Sequence, residues 1–198
     1  MKSKASQREI TEREARTERT PIQQGKILSF VTDTVFYPDG QIKTFELALH
    51  PGAVVMIPID AKQQVVFVKQ WRRAARQVLV ELPAGTLELE ENPLNCAQRE
   101  LREEIGMRSD QIVSLGSFFT SPGFCSEQLH LFLASQLAVD PLSGDDSNEI
   151  DLITASLEEA LEWIVTGKII DAKTIVGIYR YRDWLSRQSR SQSISNKD

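Results

Sequence analysis

Gly85-Thr-Leu-Glu-Leu-Glu-Glu-Asn-Pro-Leu-Asn-Cys-Ala-Gln-Arg-Glu-Leu-Arg-Glu-Glu-Ile-Gly-Met107 is the stretch whose reading decides the fold. Asn92 followed by Pro93 is a helix start, an N-cap side chain with proline at the first helical position. Leu94, Ala97, Leu101 and Ile105 recur near helical period and form the expected buried face. Gly106 ends the helix as a C′ glycine. Upstream, Leu82-Pro83-Ala84-Gly85 resists helix, because Pro83 lacks an amide donor and Gly85 is permissive. The segment therefore reads as loop, helix, loop. Residues three and four apart share a helix face, so Glu100, Glu103 and Glu104 project together, away from the apolar stripe. Like charges at that spacing repel, and hard divalent cations such as Mg²⁺ favour carboxylate oxygens beside substrate phosphates.

Outward from this segment, the chain reads as short strands with helices around them. Lys26–Phe36 and Ile42–Leu49 form a β-hairpin across Pro38-Asp39-Gly40. Further strands are expected over Ala53–Ile59, Gln64–Gln70, Val78–Leu82, Ile112–Phe119, Gln128–Ala138 and Ile150–Ala155. Ser156 with Glu159 predicts a capping box opening a helix through Val165. A last helix runs from Asp171 or Ala172 to about Arg187. Met1 to about Thr20 reads either as a helix or as a disordered arm, and Gln188–Asp198 as a polar tail. The fold class is α+β, with a mixed sheet. The expected division is 1–50 for the arm and hairpin, 51–188 for the main domain, and 189–198 for the tail.

The 198 residues suit one compact domain with an accessory element. A formal net charge of −5 argues against a nucleic-acid binder that works by neutralising phosphates. Cys96 and Cys125 show neither metal nor redox spacing, and Cys96 is expected as a small buried hydrophobe. The first twenty residues lack an apolar leader core, and no apolar run reaches membrane-spanning length. A cytoplasmic protein without membrane or nucleic-acid partners is expected.

Read as Gly85, five residues, Glu91, seven residues, Arg99-Glu100-Leu101, one residue, Glu103-Glu104, one residue and Gly106-Met107, every fixed position of the Nudix box is filled. A solvated helix face paired to Arg99 and Arg102 is the ordinary account of such a charge run; the frame around it outweighs that account. The chain resembles the Nudix hydrolases, which cleave a nucleoside diphosphate linked to another moiety. The resemblance implies an α/β/α sandwich with a mixed sheet, preceded here by the N-terminal β-hairpin. It implies Glu100, Glu104 and the backbone carbonyl of Ala84 as metal ligands, with Mg²⁺ or Mn²⁺ as the cation. It places Glu103 at the third, catalytic carboxylate position. Arg99 would pair with a box carboxylate, Glu91 would buttress the loop, and Gly85 and Gly106 would shape it.

Other segments resemble the ADP-ribose pyrophosphatase branch. Gln70-Trp71-Arg72 is similar to its Gln-aromatic-Arg run, implying that Arg72 meets substrate phosphate. Glu81, before Leu-Pro-Ala-Gly, is implied in substrate or metal contact. Ser121-Pro122-Gly123-Phe124 resembles its Ser-Pro-Gly segment, making Ser121 and Gly123 substrate-binding candidates. Gly144-Asp-Asp-Ser-Asn-Glu149 stands where the branch carries a catalytic glutamate; Asp145, Asp146 and Glu149 are all candidates, with Glu149 preferred for reach. The branch also implies a homodimer in which the hairpin builds part of the partner's pocket. The implied reaction is hydrolysis of ADP-ribose or a related nucleotide sugar to AMP and a sugar phosphate. Alternatives are another nucleoside diphosphate derivative, such as a dinucleoside polyphosphate or NADH, and a sensor that binds ADP-ribose without cleaving it.

Overall fold

In a computed structural model, residues 3–143 and 150–195 are described. They form two compact units, one of residues up to Pro51 together with Ser121–Glu127, the other of Gly52–Thr120 and the chain from Gln128 onward.

In the first unit, α1 (Lys4–Glu14) is followed by β1 (Arg16–Gln24), β2 (Ser29–Phe36) and β3 (Ile42–Leu49), an antiparallel sheet in the order β1-β2-β3. The expected hairpin is therefore β2–β3, running in register from Ser29↔Leu49 to Phe36↔Ile42. Helix α1 agrees with the helical alternative for the N-terminal stretch; the correction is β1, whose first residues, to about Thr20, are expected from sequence as helix or arm. Its residues show no apolar alternation, and all are exposed. Pro21 sits at a register irregularity, tolerable because an edge strand leaves one row of amides unpaired. What holds β1 is a polar cross-strand pair: Arg19 donates from Nε and Nη2 to the two carboxylate oxygens of the buried Asp33, each at 2.7 Å. Arg19 keeps the Asp33 carboxyl below its ordinary range, against a smaller opposing effect of burial. Helix α1 is tied down where Arg8 Nη2 donates to the Tyr37 hydroxyl (2.8 Å), which donates to Glu12 Oε1 (3.0 Å).

The second unit comprises β4 (Ala53–Pro58), β5 (Val65–Arg72), β6 (Gln77–Glu81), β7 (Ala84–Thr86), α2 (Pro93–Glu104), β8 (Met107–Phe119), β9 (Gln128–Val139), β10 (Asp151–Ala155), α3 (Leu157–Val165) and α4 (Ala172–Ser195). The mixed sheet runs β7-β4-β9-β8, with β4 parallel to β9 and the other pairs antiparallel. A smaller antiparallel sheet runs β10-β5-β6. Strand β4 is buried on both faces, as its unbroken apolar run suggests. Val54 and Met56 pack with Cys96, Ala97, Leu101 and Ile105 around α2. Val55 and Ile57 pack on the opposite side with Ile178, Tyr181 and residues of α3. This alternation gives the sandwich, and each fully buried large side chain adds about 1.5–3 kcal/mol.

Local signals set several boundaries. The capping box holds, with Ser156 Oγ accepting from Glu159 N–H and Glu159 Oε2 from Ser156 N–H. Strand β8 begins at Met107 rather than Ile112. Its polar start is concealed in sequence but satisfied in the fold: Gln98 of α2 donates to Ser109 O (2.6 Å), and Ser109 Oγ donates to Ser135 O (2.6 Å). Helix α4 continues past Arg187 to Ser195. Among the described residues, no helix is long and apolar enough to cross a membrane.

Candidate active site

The site is assembled where β7 meets α2. Strand β7 pairs with β4 from Ala53↔Thr86 to Val55↔Ala84, and Met56 N–H donates to Pro83 O at 2.9 Å, so the Leu82–Ala84 turn is tied to the central sheet. Asn92 caps α2, its Oδ1 accepting from Leu94 N–H at 2.9 Å. The helix stops at Glu104 because Gly106 takes a φ of 69°, available to glycine without steric cost. The buried stripe is turned toward Cys96, whose Sγ lies 3.6 Å from Thr86 O; Leu94, expected on that stripe, is 44 % exposed.

The arginine of the box organises most of its acids. Arg99 donates from Nε and Nη2 to the two Glu91 oxygens (3.0 and 2.8 Å), and from Nη1 to Glu100 Oε1 (2.7 Å) and Glu103 Oε2 (3.1 Å). Its Nη2 also reaches Thr86 O at 3.3 Å. Arg99 pulls the Glu91 carboxyl down to about 2, and Glu91 Oε2 accepts from Glu88 N–H, so Glu91 links the loop to Arg99 of α2.

Glu100 and Glu104 stand against the Ala84–Gly85 turn. A Cβ built on Gly85 would overlap the Glu100 carboxyl group, so any side chain there would displace that carboxyl from its present position. Glu104 accepts from Ala84 N–H at 2.9 Å and has no side-chain ion pair among the described residues. Burial pushes its carboxyl up to about 8, with the neighbouring Glu100 adding to the rise. Burial likewise raises Glu100, restrained by Arg99. Two half-buried carboxylates one helical turn apart, beside a backbone turn, form an all-oxygen donor set suited to a hard divalent cation. In this conformation Arg99 engages Glu100 and Glu103. Among the described residues, no three Asp, Glu, His or Cys side chains stand together as a metal-holding group.

Arg72, expected on substrate phosphate, and Glu81, expected in substrate or metal contact, are paired with each other. Arg72 Nε and Nη2 donate to Glu81 Oε1 and Oε2 at 2.7 and 2.6 Å across the β5–β6 sheet. Glu81 is fully buried and also accepts from Lys173, which lies 3.0 Å from Asp171 Oδ2. Burial alone would raise the Glu81 carboxyl, but Arg72 and Lys173 together hold it below its ordinary range. Sequence reading missed Lys173. Asp171 preceding a helix signalled that the lysine sits in a first turn, but nothing local names the carboxylate it meets.

Ser121 and Gly123 belong to the other unit, in a turn where Ser121 O accepts from the amides of Phe124 and Cys125 and Phe124 O accepts from Ala48 N–H. Asp145, Asp146 and Glu149 lie outside the described residues.

Chains of known kind are similar to this one in sequence or in fold. The methanol dehydrogenase activator of Bacillus methanolicus is 40 % identical over 156 residues, covering 78 % of this chain and 84 % of that protein. The ADP-ribose pyrophosphatase of Bacillus subtilis strain 168 is 35 % identical, with the same coverage. The crystal structure of an ADP compounds hydrolase superposes with a TM-score of 0.79 at 17 % identity, covering 89 % of this chain and 96 % of that one, a likeness of fold. The sequence profile of the NUDIX domain matches residues 49–175, which contain β7, α2 and every box carboxylate. With that match and these relatives, the chain belongs to the Nudix hydrolase family.

Proposed function

We propose that the protein is a divalent-metal-dependent hydrolase of ADP-ribose or a related nucleotide sugar, adding water across the diphosphate to give AMP and a sugar phosphate. The observation that carries this reading is the half-buried Glu100–Glu104 pair against the Ala84–Gly85 turn. Glu100, Glu104 and the Ala84 carbonyl would hold Mg²⁺ or Mn²⁺, which neutralises phosphate charge and lowers the pKa of water when bound. Glu103 supplies a further carboxylate beside Arg99, and Glu149 is the proposed base. Arg72 is assigned to substrate phosphate, for which guanidinium geometry is suited. Its Nη1 has no partner among the described residues, so the pair with Glu81 leaves an edge for an anion. Ser121 and Gly123 are assigned to substrate binding. The 35 % identical relative named ADP-ribose pyrophosphatase supports this substrate class.

The cytoplasm is the proposed compartment and a homodimer the proposed assembly, with the N-terminal sheet as the dimerisation element. In support, β1 is a wholly exposed edge strand, and Ile22, Phe30, Ile42 and Phe45 are exposed in the same unit.

The test is a screen of ADP-ribose, ADP-glucose, GDP-mannose, NADH and a dinucleoside polyphosphate with Mg²⁺, products being resolved by chromatography. AMP and a sugar phosphate from an ADP-sugar, abolished by chelator, are expected; release of neither overturns the reading. A second reading, activation of a dehydrogenase, is favoured by the name of the 40 % identical relative. Following methanol oxidation by a methanol dehydrogenase with and without the protein tests it.

A further inference from the structure

The first turn of α4 grips the chain at the two residues that lead into the Pro83–Ala84–Gly85 turn. Thr174, fully buried, accepts from Leu82 N–H through Oγ1 at 2.8 Å, while that hydroxyl donates to Asp171 Oδ2 at 2.6 Å. Gly177, one turn on, allows the approach, because a Cβ there would overlap Leu82 Cδ1. Lys173 completes the grip on Glu81 Oε2, the oxygen that also accepts from Arg72 Nη2. The result is a chain of alternating charge: Arg72, Glu81, Lys173, Asp171.

We propose that Lys173 is a positioning residue for substrate binding, holding Glu81 in the rotamer that orients Arg72 with Nη1 presented to a diphosphate. The proposal rests on the reading of Arg72 as a phosphate ligand. With Lys173 in place, the two cations of this alternating chain balance its two carboxylates, while Glu104 acts on both cations from beside it. Without it, Glu81 and Asp171 face Arg72 alone. One excess negative charge then stands where a diphosphate must dock. A lysine serving only as a packing counter-ion would stabilise the fold equally, but its loss would not be answered by removing a compensating charge.

Removing the charge tests this. ADP binding in Mg²⁺ is measured by calorimetry, and KM and kcat with ADP-ribose in parallel. Lys173→Met is expected to weaken ADP binding and raise KM by about tenfold or more, with kcat changed less than about threefold. Mn²⁺ binding, counted by electron paramagnetic resonance in the absence of nucleotide, should remain. In Asp171→Asn/Lys173→Met the charges balance again, and the amide oxygen still accepts from Thr174; ADP affinity should return to within about threefold of wild type. A folded Lys173→Met protein with unchanged ADP affinity overturns the proposal. So does a double variant that binds ADP no better than the single one, or that fails to fold. If Lys173→Met alone cannot be purified, the double variant carries the test with the same threefold criterion. Wild-type protein that binds ADP yet cleaves no nucleotide sugar overturns the substrate reading and leaves the role of Lys173 to the ADP titration.

Discussion

The carboxyl group of Glu100 lies against Gly85, in the space that any side chain at position 85 would fill. A residue on α2 and a residue on β7 are thus fitted to each other by the absence of one carbon. Gly85→Ala should displace Glu100 and lower kcat by about a hundredfold, with a stability loss of about 1–3 kcal/mol from overpacking. Steady-state kinetics and thermal unfolding check both effects. Unchanged turnover would mean that Glu100 acts elsewhere.

Glu104→Gln and Glu100→Gln should each lower kcat by at least about a hundredfold at saturating Mg²⁺, because each removes charge from the cation site. In metal-free buffer Glu104→Gln should be no less thermostable than wild type. The amide oxygen can still accept from Ala84 N–H, and a half-buried carboxylate without an ion pair among the described residues is gone. A large drop in metal-free melting temperature would contradict this account.

Arg72→Ala should raise KM and also destabilise the fold, unlike the loss of an ordinary surface arginine. Glu81 would stay buried with Lys173 as its cation. The expected cost is about 2 kcal/mol, reduced from a fully buried pair because Arg72 is partly solvated and Lys173 remains. Denaturant titration measures it; a change below about 0.5 kcal/mol would show that Lys173 suffices.

In the N-terminal unit, the Asp33 carboxyl is held below its ordinary value of 3.8, chiefly by the hydrogen bond from Arg19 and against burial. A depressed acid stabilises the fold above its unfolded pKa, and that contribution fades as pH falls through the folded value. Asp33→Asn should therefore lower the melting temperature at pH 7 and differ less from wild type at about pH 3. An equal deficit at both values would mean that packing, not charge, is lost.

Light scattering of the whole chain should report a dimer at micromolar concentration. Removing the residues before Pro51 should give a monomeric or poorly soluble protein with sharply reduced nucleotide-sugar hydrolysis. A fully active monomer would exclude the N-terminal sheet as the dimerisation element.

The sequence by itself determined the box. Asn92 and Pro93 start α2, Gly106 stops it, and the spacing of Glu100 and Glu104 places both on one side, because caps and helical periodicity are short-range effects. Strand β4 was legible for a related reason, its unbroken apolar run marking burial on both faces. Tertiary structure decided what depends on partners distant along the chain. Strand β1 has no apolar pattern of its own and is specified by pairing with β2 and by the Arg19–Asp33 contact. Arg72 and Glu81 look like separate contacts until β5 and β6 share a sheet, in which Glu81 stands opposite Val68 and the long Arg72 side chain reaches it. Lys173 meets Glu81 only when α4 docks, which Gly177 permits by close approach to Leu82. Charge partners across such separations are chosen by packing, and no local periodicity encodes them.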